Sequence, residues 1–337
     1  MAIRIAQYGT GHGHASGKWL AMRRNADVAE VGVYEPDPAA RAQWRSHASY
    51  EGARWYESAD EMLGDASIDA IAIEGRNDEG LAMARPAIDA GKHVWYDKPA
   101  GDDWPAFLDL VGRVCAANRV LQMGYMLRYH DSFKTVADWA RGGMLGHIFQ
   151  IRAHFSTNIP IIGPANTREL IARHRGGMLY DLGGHMLDQV TWILGRPTHV
   201  TAFLHNHATP ELPHFPDNTL GVFEFNGAMA TVEIAAMEAR PMARRFEVYG
   251  TRGSAILLEP FEPGGRIRLA LDEARNGFVA GEQIIKTGSP ERQALYEREL
   301  AAFVATTRGQ QAPDRDLSHE VLVQETLLRV TGGIPGG

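Results

Sequence analysis

The first third of the chain alternates short apolar runs with stretches of helical spacing. The apolar runs are typical of strands buried on both faces, and helix-start signals lie between them, such as Ser58 with Glu61 and Asp102 ahead of Pro105. The predicted strands are Ile3–Gln7, Ala29–Tyr34, Ala70–Glu74, His93–Tyr96 and Val120–Gly124. The predicted helices are Gly17–Asn25, Pro38–Ser46, Ser58–Leu63, Asp78–Ala90 and Trp104–Asn118. This alternation predicts a Rossmann-type parallel sheet covered by helices.

From about Tyr125 the pattern changes to longer runs in which apolar and polar residues alternate. The predicted strands there are Ile148–Phe155, Val200–His205, Thr219–Phe225, Met229–Ala236, Arg245–Tyr249 and Ala255–Leu258. The predicted helices are Asp131–Arg141, Met178–Leu194, Glu291–Arg308 and His319–Val330. Asn226-Gly227 predicts a type I′ hairpin turn. We therefore expect a dinucleotide-binding domain over 1–124 and a second α/β domain over 125–337.

Composition narrows the classes of function. A chain of 337 residues, 45% of them hydrophobic, is long enough for two cores, and its formal net charge of −7 argues against general nucleic-acid binding. Cys115 is the only cysteine, so an intrachain disulfide is excluded. No apolar stretch approaches the roughly 18 residues of a membrane span, and the N-terminus lacks a signal-peptide layout. We expect a cytoplasmic protein whose partners are small molecules and further copies of itself, not nucleic acid or membrane.

A glycine-rich loop follows the first predicted strand. Gly9 and Gly11 stand where a dinucleotide fingerprint needs a tight turn and close approach of the backbone to a pyrophosphate, whereas His14 replaces the third glycine. The cofactor-binding residues predicted in this loop are Gly9, Thr10, Gly11, His12, Gly13 and His14. The alternative is a glycine-rich surface turn.

Glu35 ends the second predicted strand. A carboxylate there can accept hydrogen bonds from a ribose diol and would repel a 2′-phosphate. Because no Arg or Lys directly follows Glu35, we predict NAD rather than NADP. The alternative is a solvated glutamate.

Asp97-Lys98-Pro99 closes the fourth predicted strand, at the sheet edge where open α/β folds bind ligands. An ammonium held there can donate hydrogen bonds to a substrate hydroxyl, and partial burial would lower the pKa of Lys98 toward a useful range. The alternative is an ordinary lysine in an X-Pro turn.

A polar stripe marks the helix predicted over Met178–Leu194. Asp181, His185 and Asp188 are spaced i, i+4 and i+7, which places them on one helix face amid apolar residues. Such a histidine can accept a hydroxyl proton as hydride leaves the carbon, and Asp181 could orient the substrate or the imidazole. The alternative makes Asp181 an N-cap and His185 a satisfied core histidine.

Several histidines invite a metal interpretation. His205, His207 and His214 are close in sequence, as are His12 and His14. A structural zinc site typically needs about four ligands that include cysteines, and the single Cys115 is near none of them. We therefore predict no metal.

Together these motifs resemble the glucose-fructose oxidoreductase / inositol dehydrogenase / MocA (Gfo/Idh/MocA) family over most of the chain. The resemblance rests on the glycine loop, on Ala90–Val94 leading into Asp97-Lys98-Pro99, on Gly124-Tyr125 with Arg128, on Gly176-Gly177 with Asp181, Leu182, Gly183 and His185, and on the late Asn226-Gly227 and Val248–Gly253 turns. It implies a Rossmann domain and a C-terminal α/β domain that binds substrate. The large, mostly antiparallel open sheet of that second domain would form the interface of a homodimer or homotetramer.

The resemblance also implies roles for individual residues. It makes Lys98 the motif lysine and Asp181 and His185 the family's aspartate and histidine pair, with His185 the candidate for acid/base work. The predicted catalytic residues are therefore Lys98, Asp181 and His185. Asp97 and Lys98 join the cofactor-binding set with Glu35. The predicted substrate-binding residues are Lys98, Tyr125, Arg128, His154, Asp181 and His185.

Three places depart from the family pattern. Asp97 replaces the usual glutamate, His14 replaces a glycine, and Glu74-Gly75-Arg76-Asn77 replaces a Thr-Pro loop, with Gly80 where a histidine is usual. We expect hydride transfer between NAD and a secondary alcohol or hemiacetal of a sugar, sugar acid or cyclitol. The alternatives are a redox-neutral lyase or glycosidase that uses tightly bound NAD for transient oxidation, and a non-catalytic NAD- or sugar-sensing protein.

Overall fold

The apolar runs of the first third pair side by side in this computed structural model, which describes residues 2–163, 167–258 and 260–335. The strands are β1 (Ile3–Tyr8), β2 (Val28–Tyr34), β3 (Ala70–Ile73), β4 (His93–Tyr96) and β5 (Leu121–Met123). They form a parallel sheet in the order β2-β1-β3-β4-β5. Strand order reverses at β1, and the carboxyl ends of β1 and β3 are where such sheets place ligand-binding loops.

Helices connect these strands: α1 (Ala15–Arg24), α2 (Pro38–Arg45), α3 (Ala59–Gly64), α4 (Gly80–Asp89) and α5 (Trp104–Ala117), with a 3-10 helix at Ala48–Tyr50. Ser58 caps α3, since its hydroxyl accepts a hydrogen bond from the Glu61 amide at 3.1 Å, as expected. The returning Glu61 carboxylate accepts from the Glu57 amide instead of from Ser58. Asp103, not Asp102, caps α5, because its carboxylate reaches the Ala106 amide at 3.0 Å.

The remaining strands form an eight-stranded sheet. They are β6 (Ile148–His154), β7 (His199–His205), β8 (Asn218–Phe225), β9 (Ala228–Ala235), β10 (Arg245–Gly250), β11 (Gly253–Leu257), β12 (Arg266–Leu271) and β13 (Gly281–Lys286). The order is β13-β12-β11-β10-β6-β9-β8-β7, and only the β6–β9 pair is parallel. The expected fold class is confirmed: a Rossmann-type parallel sheet and a mostly antiparallel open sheet.

The other helices are α6 (Asp131–Arg141), α7 (Arg168–Ile171), α8 (Met178–Leu194), α9 (Arg292–Thr307) and α10 (Leu317–Thr331), with a 3-10 helix at Met126–Tyr129. Helix α8 contacts strands β6, β8 and β9. Side chains on one face of the sheet, such as Ile151, Val232 and Val248, are fully buried. Alternate residues point to the opposite face, where Met229 and Phe203 are half exposed.

The chain divides into two compact units. One comprises Met1–Tyr125 with Gln293–Val321, and the other comprises Met126–Arg292 with Leu322–Gly337. The segment Gln293–Val321 thus differs from the sequence-based division, which placed all of 125–337 in one domain. The reason is long-range packing: within the first unit Phe303 of α9 stacks on Trp95 of β4, and the Trp95 indole donates a hydrogen bond to Glu299 at 3.0 Å.

Three details of the second unit differ from the predictions. Strands β12 and β13 were not predicted, although buried Ile267, Leu269 and Leu271 alternate along β12 as a half-buried strand requires. Asn226-Gly227 does join β8 to β9, but the type I′ turn is wrong. That turn needs positive φ at both central residues, and of the two only Gly227, at +84°, has it.

Among the helices described, none combines the length and apolar character that crossing a membrane would require.

Candidate functional site

The glycine loop joins β1 to α1 and packs closely on the loop that follows β3. Gly9 has φ +87°, and a Cβ atom there would lie 2.6 Å from the Gly75 nitrogen. A Cβ atom on Gly11 would lie 2.7 Å from Cγ of Arg76. The His12 amide donates to the Glu74 carbonyl at 2.9 Å. Gly9 is therefore required by its positive φ and by the close approach of the Gly75 backbone, whereas a side chain at Gly11 would have to displace the Arg76 side chain.

Glu35, just beyond β2, holds this loop from the other side. One carboxylate oxygen accepts from the Thr10 amide at 2.6 Å and the Thr10 hydroxyl at 2.7 Å, and the other accepts from the Asp37 amide at 2.9 Å. The structure thus brings Glu35 and Thr10 of the predicted cofactor set together.

Asp97, directly after β4, joins the lysine motif to the glycine loop. Its Oδ1 accepts from the Lys98 amide at 2.7 Å. Its Oδ2 lies 3.2 Å from Nδ1 of His12 and 3.1 Å from Nδ1 of His14. Three predicted cofactor-binding residues therefore converge on one carboxylate.

Lys18 of α1 is the residue that the sequence analysis missed. Its ammonium is fully buried, 3.1 Å from Asp97, 3.4 Å from Glu74 and 3.8 Å from Glu299, and it lies 4.3 Å from the centre of the Trp95 ring. We call Lys18, Glu74, Asp97 and Glu299 the Lys18 cluster. A signal existed, because Lys18 falls in register with buried Ala15 and Met22 on the inner face of α1.

Burial and charge shift the pKa values in this cluster in opposite directions. Burial would lower the pKa of Lys18, but Asp97, Glu299 and Glu74 raise it above its ordinary value. Burial raises the pKa of Glu74 well above the usual range, against the opposing attraction of Lys18. Burial also opposes the charge of Asp97, yet His12, Lys18 and His14 keep its pKa well below the usual range.

His14 is held neutral at the edge of the cluster. Burial lowers the pKa of His14 to about 3, against the opposing attraction of Asp97. Ligand atoms of His12, His14 and Asp97 all lie within 4.8 Å of one another, a distance at which they could share a metal ion. Lys18 already binds the same Asp97 oxygen, however, so the arrangement equally describes a hydrogen-bonded ion pair. The absence of a metal remains a prediction.

Lys98 and Tyr125 belong to the same unit. Lys98 is 3% exposed and follows β4 at the carboxyl edge of the parallel sheet, and its peptide bond to Pro99 is cis. Tyr125 is buried just beyond β5. The structure therefore places the motif lysine next to Asp97 and, through that carboxylate, beside the glycine loop.

Helix α8 of the second unit carries the polar stripe. It begins after Gly176 and Gly177, which both have positive φ, so Asp181 lies in the first turn and is not the N-cap. Asp181 is 6% exposed and His185 is 1% exposed. The His185 ring meets Phe155 edge-on with centroids 5.6 Å apart. A carboxylate in the first turn is favoured by the helix dipole.

Asp188, the third residue of the stripe, has a different environment. Its Oδ1 accepts from Nε and Nη2 of Arg128 at 2.9 and 2.8 Å, and its Oδ2 accepts from Nε2 of the Gln189 side chain at 2.9 Å. Both charged side chains are buried. The predicted substrate residue Arg128 is therefore anchored to α8 by a buried ion pair.

His154 is separated from the α8 residues. Its ring lies 2.9 Å from Glu238 and 3.4 Å from Glu233, on the face of β6 opposite to buried Ala153. Phe155, the next residue, is the one that contacts His185. The structure thus does not group His154 with Asp181 and His185, and its substrate role stays a prediction.

Both units match known families. Residues 3–125 match the Gfo/Idh/MocA model described as an oxidoreductase family with an NAD-binding Rossmann fold, and residues 133–256 match the Gfo/Idh/MocA C-terminal domain. The chain is 27% identical over 284 residues to inositol 2-dehydrogenase 2 of Saccharopolyspora erythraea, covering 83% of this chain and 77% of that relative. In three other curated relatives, the matched residues span 54%, 70% and 71% of the relative's own length.

Solved structures share the fold across the whole chain. One is an oxidoreductase from Agrobacterium radiobacter in complex with NAD+, L-tartaric acid and magnesium, with a TM-score of 0.83 and 16% identity over 99% of this chain and 96% of that one. Another, from Desulfitobacterium hafniense and described as NADPH-dependent, has a TM-score of 0.82 and 16% identity over 99% and 96%. The two domain matches, the glycine loop and the motif lysine agree, and the chain belongs to the Gfo/Idh/MocA family of NAD-binding oxidoreductases.

Proposed function

We propose that this oxidoreductase transfers hydride between NAD and a secondary alcohol or hemiacetal of a sugar, sugar acid or cyclitol. The observation that carries the proposal is the Asp97 carboxylate, which binds the Lys98 amide and both histidines of the glycine loop. A lysine tied in this way to a nucleotide-binding loop is suited to act on a substrate oxygen beside the cofactor.

Three residues of the chain would act on the substrate hydroxyl. His185 would accept the hydroxyl proton, Lys98 would donate a hydrogen bond to the same oxygen, and Asp181 would orient the imidazole or the substrate. Gly9–His14, Glu35 and Asp97 would hold the cofactor, and bound NAD would supply the hydride acceptor. Tyr125, Arg128 and His154 remain candidates for substrate contacts.

We infer NAD rather than NADP because of Glu35. Its carboxylate follows β2 and is almost fully buried, so a 2′-phosphate brought against it would meet its negative charge. One structure with the same fold is described as an NADPH-dependent oxidoreductase, so both nucleotides belong in the test.

The test follows reduced-nicotinamide absorbance with NAD and NADP against a panel of sugars, sugar acids, cyclitols and glycosides, with product analysis. Net NADH formation supports the proposal. Product without net NADH would replace it with redox-neutral lyase or glycosidase chemistry, and NAD binding with no product would favour a sensor.

Two variants then test the assigned residues. His185→Asn and Lys98→Met should each lower turnover at least about a hundredfold, the cost of losing one acid/base group. Exposed His205→Asn and Lys134→Met are the matched controls and should keep wild-type turnover. Near-wild-type activity of either site variant in a folded protein would refute its role.

We also propose a homodimer or homotetramer formed through the open sheet. Phe203, Met229 and Ile284 lie on the same sheet face and are 50%, 53% and 49% exposed. Met229→Glu should shift the mass measured by light scattering toward the monomer. Leu108→Glu, at an exposed apolar residue of α5, should not. A cytoplasmic location remains a prediction.

A further inference from the structure

Three of the residues at the family departures belong to one connected set of side chains. These are Asp97, Glu74 and His14, and Asp97 and Glu74 both lie within 3.4 Å of the Lys18 ammonium. His14 lies against the same Asp97 carboxylate. Residues that are separated along the chain thus form one connected set, in which Lys18 supplies the buried positive charge.

Asp97 is the branch point of that set. Oδ1 accepts from the Lys98 amide, Oδ2 faces Lys18 and His12, and Nδ1 of His14 lies 3.2 and 3.1 Å from the two oxygens. An aspartate has a short side chain with few rotamers, so an ammonium fixed on one oxygen also fixes the direction of the other. The position of the carboxylate therefore decides both where the Lys98 backbone lies and how the loop histidines are held.

We infer that Lys18 is a positioning residue, which holds the Asp97 carboxylate where it orders the glycine loop and Lys98 together. The inference rests on the proposed function, since the loop and Lys98 are taken there as cofactor-binding residues. Lys18 lies outside the sequence motifs. Its ammonium binds the carboxylate of Asp97, the residue that replaces the usual glutamate.

The packing around the pair supports this inference. A Cβ atom on Gly124 would lie 2.8 Å from both the Asp97 Oδ1 and the Lys18 Nζ. Lys18 also lies over the Trp95 ring, whose indole binds Glu299. The ammonium and the carboxylate are therefore enclosed on several sides and have little room to separate.

A purely structural ion pair is the competing explanation, and a second buried lysine provides the control. Lys92 is also buried in the first unit, where its ammonium donates to the carbonyls of Asp65 and Ile68, each at 2.8 Å. Lys18→Met and Lys92→Met remove the same charge from comparably buried sites. Only Lys18→Met should loosen the glycine loop and the backbone at Lys98.

The experiment measures NAD dissociation constants and amide hydrogen exchange of the NAD-free protein. Lys18→Met should weaken NAD binding at least about tenfold and speed exchange in peptides containing His12–His14 and Lys98. Lys92→Met should lower the unfolding midpoint yet leave NAD affinity within about twofold. In an Asp97→Asn background, Lys18→Met should change affinity by less than about threefold, because the two residues act through one contact.

Gly124→Ala provides a variant that keeps every charge, in case Lys18→Met does not fold. Its added methyl group should displace the pair and reproduce weaker NAD binding and faster loop exchange. Equal effects of Lys18→Met and Lys92→Met on affinity, or additive effects of Lys18→Met and Asp97→Asn, would overturn the inference. Failure of the wild-type protein to bind NAD would instead refute the proposed function.

Discussion

Two buried groups of polar side chains, one in each unit, are built in opposite ways. The Lys18 cluster takes its members from α1, the ends of β3 and β4, and α9, and it surrounds one ammonium with three carboxyl groups. The polar face of α8 takes Asp181, His185 and Asp188 from a single helix, and its third member is neutralised by Arg128.

The difference has a thermodynamic meaning. The charges on α8 are balanced in a one-to-one pair, so breaking that pair should mainly cost stability. The Lys18 cluster contains more carboxyl groups than cations, so its protonation states are strongly shifted and its stability should follow pH. Substitutions in the two groups should therefore change the free energy of unfolding in different ways.

The largest effect is expected from the α8 pair. Asp188→Asn would leave the Arg128 guanidinium buried opposite a neutral amide, at a cost of about 3–5 kcal/mol in the free energy of unfolding. Chemical denaturation measures this value. The double variant Arg128→Met with Asp188→Leu should recover much of it, because no lone buried charge remains. A loss below about 1 kcal/mol in Asp188→Asn would show that the pair is not buried in solution.

An intermediate effect is expected from acidification, through His14 at the edge of the Lys18 cluster. Because the pKa of His14 is lowered to about 3, the unfolded chain takes up a proton below about pH 6.5 that the folded chain does not, so stability falls as pH falls toward 3. The slope can reach about 1.4 kcal/mol per pH unit. His14→Gln should flatten the profile of unfolding free energy in this window relative to wild type. The exposed His205→Gln is the control, and parallel profiles for His14→Gln and wild type would contradict the assignment.

The smallest effect is expected from Glu74. Its pKa is raised by burial, so the folded state favours the protonated carboxyl and loses stability as pH rises through that pKa. Glu74→Gln keeps a neutral group of similar shape. It should be near neutral at about pH 4, below the ordinary glutamate pKa of 4.5, and gain about 1 kcal/mol over wild type at alkaline pH, measured by denaturation at both pH values. A constant difference across the pH range would show that Glu74 is already ionised.

The same contrast explains how much of the molecule could be predicted from sequence. The α8 stripe follows helical periodicity, so its placement on one buried face could be predicted before the fold was known. The Lys18 cluster has no periodicity, since its carboxylates come from segments that only the tertiary fold brings together. His12, His14 and Asp97 could be named separately, but their shared carboxylate could not.

The parallel sheet of the first unit was also predictable, because each of its strands is a short apolar run followed by a helix signal. The second sheet was less predictable from the sequence. Its edge strand β13 is largely exposed, so its apolar and polar residues do not alternate clearly. The placement of α9 against β4 depends on Trp95, Glu299 and Phe303, and no local signal connects those residues.

Because residues 293–321 pack in the first unit, that unit cannot be completed early in synthesis. Domains generally fold from the N-terminus as the ribosome releases them, but here residues 1–125 emerge long before Glu299 and Phe303. Until then Trp95 lacks its stacking partner and the Lys18 ammonium lacks one of its carboxylates. The nascent nucleotide-binding unit is therefore incomplete until residues 293–321 have been translated, and a fragment ending at residue 125 should not reproduce it.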